Sequence, residues 1–279
     1  MDENFYLRHG ALSDPGPRAA AFDGLPGDVA DLCAVVQGIL LHDYTGGLFY
    51  GMPPDDFARQ SRVTLPVEER LGAILARDAA TLTQARPAFE RCVGTCRDFA
   101  LMLTAMLRHK GTPARVRCGF ARYFGAGFED HWVCEYWLAE EGRWALADPQ
   151  LDAAHRTHFA IGFDPADMPR AQFLLAWQVW AAIEDSADAG DFGHGDYKGL
   201  WIVEVNLARD LLALAKQERS DWDGWRDSLP VHRTLDAGRR AIAGLMATRA
   251  GACQGLDGPD MAGGGVGSLP PPPPWSSRI

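Results

Sequence analysis

The sequence predicts an α+β fold, with a central helix packed on an antiparallel sheet and further helices on both the N- and C-terminal sides. Three observations predict it. Cys96 opens an unbroken helical run that closes at Lys110-Gly111. Strand-like stretches follow at Ala114–Ala121, His131–Leu138 and Arg143–Ala147, the last two joined by the turn Glu140-Glu141-Gly142. Helical periodicity then returns near Arg170–Ile183 and Gly199–Arg219. A helix followed by a meander, with helices segregated around it, is an α+β arrangement.

The elements follow in order. Residues 1–27 are rich in Gly, Pro and Asp and read as an extension that wraps the surface or frays. Asp28 is placed to cap a helix through about Leu41, with Leu32, Val35, Val36, Ile39 and Leu40 on one broad face. Tyr44 to Pro54 reads as a loop of glycine, proline and aromatic residues. Thr64-Leu65-Pro66-Val67-Glu68 is a helix start, and Val67, Leu71, Ile74 and Leu75 carry that helix toward Leu82. In the central helix, Phe99, Leu103, Met106 and Leu107 recur at helical spacing, and Gly111 stops it. Arg115 and Arg117 then alternate with Val116, Cys118 and Phe120, the pattern of a strand. Tyr123 to Asp130 is a connecting loop. A shorter helix is expected over Leu235–Arg249. The chain thus divides into an extension (1–27), one domain with a C-terminal helical part (28–250) and a Gly/Pro-rich tail (251–279). The tail holds Gly263-Gly264-Gly265 and the run Pro270–Pro274, too little apolar surface to offset ordering entropy, so disorder is expected. A proline run of this kind also offers a docking motif for an SH3- or WW-like module, a minor alternative to a solvated tail.

Composition narrows the partners. Lys and Arg total 27 against 37 Asp and Glu, a net charge of −10 over 279 residues. That balance argues against a broad nucleic-acid footprint or a polybasic membrane patch. No apolar run reaches the roughly 18 residues of a membrane span. Met1-Asp2-Glu3-Asn4-Phe5 lacks the basic-then-apolar layout of a secretory signal, so a cytoplasmic location is expected. Six cysteines (Cys33, Cys92, Cys96, Cys118, Cys134, Cys253) are scattered rather than arranged as a disulfide framework.

Cys96 carries the chemistry. A thiolate is the attacking species, and a thiol at a helix N-terminus is acidified by the partial positive charge there. His131, at the start of a strand 35 residues downstream, is the candidate imidazole. Asp148, at the end of the next strand, can accept the other ring N–H and fix the tautomer. This is the general logic of nucleophile, base and orienting acid. Singly, each residue has a plain structural reading; order, element type and spacing together favour the catalytic one.

The run Gly94-Thr95-Cys96-Arg97-Asp98-Phe99-Ala100 resembles the transglutaminase-like core. So do the Gly111-Thr112-Pro113-Ala114-Arg115 hinge, the His131-Trp132-Val133 strand and the stretch from Trp144 to Asp148-Pro149. More closely, the chain is similar to bacterial transglutaminase-like proteins, whose pattern continues through Asp130–Trp137, Phe163-Asp164-Pro165 and Gly199-Leu200-Trp201. The specific part of the resemblance spans about 90–150 and the looser part about 30–226. It implies a papain-like α+β fold with Cys96 as nucleophile, His131 as base and Asp148 as orienter. Papain-like enzymes also place an upstream glutamine at the oxyanion, which by analogy points to Gln37, beside the backbone N–H of Cys96.

Other chemistries are not signalled. Cys92 and Cys96 lack a second pair at zinc spacing, and neither a calcium loop nor a nucleotide fingerprint occurs, so no metal or cofactor is expected. Asp152, His155 and His158 read as loop residues at the border of a cleft. The aromatic loops Tyr44–Tyr50 and Tyr123–Phe128 are candidates for a substrate groove. The expected function is thiol-dependent acyl transfer from an amide, peptide or thioester carbonyl. Hydrolysis is favoured because water is always available; the alternatives are amide-forming acyl transfer and a catalytically inactive binding module.

Overall fold

The Asp28 carboxylate accepts the N–H groups of Ala30 and Asp31, satisfying two of the amides that a helix start leaves open. The computed structural model describes residues 4–60, 66–125, 127–219 and 235–256. Residues 257–279 of the predicted tail, Pro270–Pro274 among them, Thr64-Leu65 of the helix-start signal and the end of the looser resemblance lie outside the described residues, whereas Gly251 and Ala252, expected to be disordered, close the last helix and Cys253 is buried after it.

Helix α1 (Val29–Ile39) buries Leu32, Cys33, Val35, Val36 and Ile39. It ends before the apolar run does. Leu40 turns extended, and β1 (Leu40–His42) pairs in parallel with β2 (Cys92–Gly94), placing Leu40 level with Cys92 and His42 level with Gly94. The expected Tyr44–Pro54 loop is instead largely helix α2 (Asp43–Tyr50), capped by His42. Gly46 there reflects close packing, since a Cβ would come to 3.0 Å from Leu41. After α3 (Asp55–Ala58), helix α4 (Val67–Arg77) stops at Asp78, short of the expected Leu82.

Helix α5 (Cys96–His109) runs as predicted and is enclosed: every residue from Cys96 to Arg108 is buried. Leu103 and Met106 have no exposed surface, and each such side chain contributes about 1.5–3 kcal/mol by leaving water. Against α5 lies the sheet of β3 (Ala114–Ala121), β4 (Glu129–Leu138), β5 (Arg143–Ala147) and β6 (Phe173–Leu175), in the order β5-β4-β3-β6 and antiparallel throughout. The fold is α+β. Helix α6 (Ala153–His158) follows β5. The stretch expected as one helix over Arg170–Ile183 splits into β6 and α7 (Ala176–Asp185). A small hairpin, β7 (Gly193–His194) with β8 (Tyr197–Lys198), leads into α8 (Leu200–Leu214), and α9 (Ala237–Ala252) packs on α7 and α8.

The second face of the sheet is covered rather than wet. Arg115 and Arg117 are 1% exposed, because α8 lies over β3. Glu135 on β4 accepts from both, at 2.7 and 2.8 Å, and from Arg170 at 2.6 Å. Asp210 of α8 takes Arg117 through two bonds of 2.9 and 2.8 Å and also accepts the Cys118 N–H. Burial pushes the Glu135 carboxyl up, but the three arginines overcome it and hold the group well below the usual carboxylate range.

The N-terminal segment is anchored: Tyr6 and Phe22 have no exposed area. Among the described residues, no helix is long and apolar enough to cross a membrane.

Candidate active site

Cys96 is the first residue of α5, directly after β2 and Thr95, so its N–H belongs to the helix end where amide donors point outward. The junction is clamped. Asp98 accepts the Thr95 N–H at 2.9 Å and pairs with Arg97 at 2.7 Å and Arg70 at 3.0 Å. Burial raises the Asp98 carboxyl, yet Arg70 and Arg97 more than offset this and keep it lowered and ionised. Cys96 itself is buried to 9% exposure, at the rim of the core cluster that includes Phe99 and Trp132.

His131 lies on β4 opposite Gly119 of β3. At this point the sheet turns. Cys118 and Trp132 pack toward α5, whereas Phe120 joins the cluster around α8 and Asp130 approaches Arg209. Gly119 permits the turn and the pairing of β6, because a Cβ there would sit 2.2 Å from the Leu174 carbonyl oxygen. The imidazole is buried, edge-on to Phe124 at 4.9 Å and to Tyr123 at 6.1 Å.

Asp148 follows β5 and has no exposed surface. Its Oδ2 lies 2.8 Å from His131 Nε2 and accepts the Tyr123 hydroxyl at 2.6 Å, while Oδ1 accepts the Gln150 N–H at 3.0 Å. Burial raises this carboxyl; His131, Tyr123 and the Gln150 amide together reverse that and leave it lowered. An ionised carboxylate can only accept, so Nε2 carries a proton toward Asp148. Tyr123 is pushed well above the ordinary phenol range by burial and by Asp148, with a further push from Cys96, so it stays protonated as a donor. That last effect also ties Cys96 to the Tyr123–Asp148–His131 group.

Of the four residues predicted from sequence, His131 and Asp148 are thus in direct contact, with Cys96 at the same end of α5. Gln37 lies half-buried on α1, one turn after Cys33. Sequence reasoning missed Tyr123 as a partner of Asp148 and weighed it only as a groove aromatic. It also took Asp152 and His155 for loop residues. Asp152 instead caps α6 and accepts from His155 Nδ1 at 2.8 Å, and His155 Nε2 lies 3.1 Å from Thr45 Oγ1. A hollow of about 430 Å³ lined by Asp31, Ala34, Val35, Gly38 and Leu82 includes none of these residues.

Residues 52–149 match the transglutaminase-like superfamily. The matched stretch, about a third of the chain, is similar to that superfamily's core. The match begins before the specific part of the resemblance, about 90–150, and lies within its looser part, about 30–226. It includes Cys96, His131 and Asp148, while Gln37 and His42 precede it. No curated protein matches the chain. Among solved structures, a candidate cysteine protease from Cytophaga hutchinsonii is similar over 63% of this chain at 14% identity and a TM-score of 0.36. The chain spans 46% of that protein, less than half its length, and none of that protein's chemistry is carried over.

Proposed function

We propose that this protein is a thiol-dependent acyl-transfer enzyme in which Cys96, His131 and Asp148 act as nucleophile, base and orienting acid. The observation that carries the reading is the 2.8 Å contact between His131 Nε2 and a fully buried Asp148. It commits Nε2 to the carboxylate and leaves Nδ1 as the ring nitrogen for a thiol proton.

In this reading His131 Nδ1 takes the Cys96 proton, and the thiolate attacks an amide, peptide or thioester carbonyl. The S–C bond forms and the carbonyl π pair moves to oxygen, where the Cys96 N–H and the Gln37 amide donate to it. Collapse expels the amine or thiol with the proton held on His131, leaving an acyl-thioester on Cys96. Water, deprotonated by His131, then releases the acid and restores the thiol. Tyr44, Leu48, Tyr50 and Met52 are all exposed on or just after α2, beside Thr45 and its contact with His155, and favour an apolar acyl group.

The test is trapping of the acyl-enzyme. Brief reaction with a phenylacyl thioester should add the acyl mass to Cys96 alone, and Cys96→Ala should abolish it. Added hydroxylamine should divert the product from acid to hydroxamate if the acyl-thioester is on the path. An unacylated protein that still releases acid at the unaltered rate would contradict the reading.

A further inference from the structure

β1 ends at His42, level with Gly94 and thus two residues before Cys96 on the neighbouring chain segment. Side chains alternate along β1. Leu41 packs with Val93 and Phe57, whereas Leu40 lies against Gly94 on the side where Phe99 and the start of α5 sit. His42, two residues after Leu40, takes that same side. Its ring is 16% exposed and close enough to His131, His155 and Asp98 to feel their charges.

The tautomer is set locally. His42 Nδ1 accepts the Tyr44 N–H at 3.3 Å as the cap of α2, and Asp43 Oδ1 stands 3.2 Å from the same nitrogen; with the Tyr44 donor on Nδ1, the neutral ring's proton is assigned to Nε2. Burial lowers the imidazole to about 4 despite Asp43, with His131 and His155 adding to the fall, so the ring is uncharged at neutral pH.

We propose that the Nε2–H of His42 is a further donor to the substrate's acyl oxygen, acting with the Cys96 N–H across the β1–β2 pair. This rests on Cys96 being the nucleophile. When the S–C bond forms, the oxyanion accepts from His42. When the adduct collapses, the electron pair returns to the C–O bond and His42 keeps its proton. A neutral donor suits this place. It adds no positive charge beside the imidazolium that His131 becomes, and the Tyr44 N–H prevents the ring from presenting a lone pair to the oxygen.

Two substitutions separate this role from helix capping. His42→Asn retains an acceptor near the Nδ1 position and removes the group at Nε2. His42→Gln places an amide N–H near Nε2. The full chain is treated with iodoacetamide, which alkylates Cys96 without forming an oxyanion, and with N-acetyl-phenylalaninal, whose hemithioacetal on Cys96 carries one. His42→Asn should leave the alkylation rate and melting temperature unchanged and weaken the aldehyde adduct by about 10²-fold. His42→Gln should recover part of that loss. Equal losses with both reagents, or unchanged aldehyde binding in His42→Asn, would overturn the assignment. So would an unaltered protein that is alkylated but forms no aldehyde adduct. An unaltered Cys96 inert to iodoacetamide would instead bring down the thiol reading itself, and this assignment with it.

Discussion

His131 meets Asp148 through Nε2, and the Asp148 oxygen that receives it also receives the Tyr123 hydroxyl. One carboxylate oxygen therefore holds two donors, 2.8 and 2.6 Å away, in a setting without solvent exposure. The ring's orientation is set by this oxygen, and Tyr123 sets where the oxygen stands. Charge-assisted bonds of this kind are among the stronger protein hydrogen bonds, and desolvation raises what their loss costs.

Asp148→Asn tests the tautomer. The amide fits the same space but can donate to Nε2, which would move the ring proton to Nδ1, the nitrogen that takes the thiol proton in the proposed mechanism. Acylation in a single turnover should fall by about 10²–10⁴-fold with little change in thermal stability. A fall of less than about tenfold, below the 10²–10⁴-fold range of general-base effects, would mean that Asp148 does not fix the ring.

Tyr123→Phe tests the second donor. Tyr123 helps lower the Asp148 carboxyl, so removing its hydroxyl raises that group. The carboxylate is lost as pH falls through its folded-state value, so a higher value brings the loss at higher pH. The acidic limb of the acylation profile should therefore move upward in pH, with a loss of about 3–30-fold near neutrality, equivalent to one charge-assisted bond weakened in part. An unmoved acidic limb would reduce Tyr123 to a packing residue.

Asp210→Ala tests the buried arginine layer. It would leave Arg117 without its bidentate partner at a position with 1% exposure, and stability should fall by about 3–5 kcal/mol in urea denaturation. A loss below about 1 kcal/mol, the range of surface pairs, would show that Glu135 alone satisfies Arg117.

Local patterns made much of this molecule legible. The apolar spacing after Cys96 gives α5, and alternation with a Glu-Glu-Gly turn gives β4 and β5, so His131 and Asp148 could be placed near one another. What escaped depends on partners distant in the chain. The β1–β2 pair joins residues about fifty apart, and nothing around Leu40-Leu41-His42 distinguishes it from the end of a helix. Arg115 and Arg117 look like the wet side of a strand until α8 covers them. α2 was hidden because histidine is an uncommon cap and two glycines lower its propensity. Tyr123 looked like one aromatic among several, since only the folded end of β3 brings its hydroxyl to Asp148.

The central claim is a thiolate on Cys96 sustained by His131. The most direct test is the rate of iodoacetamide modification at each cysteine, followed by mass spectrometry from acid to alkaline pH in the unaltered protein and in His131→Ala. Burial raises the thiols of Cys33, Cys92, Cys134 and Cys253, so these should stay unreactive below neutrality. Cys96 should be the fastest site below pH 7 and should lose that advantage in His131→Ala. A Cys96 that titrates as an ordinary thiol, or that reacts equally fast without His131, would contradict the account.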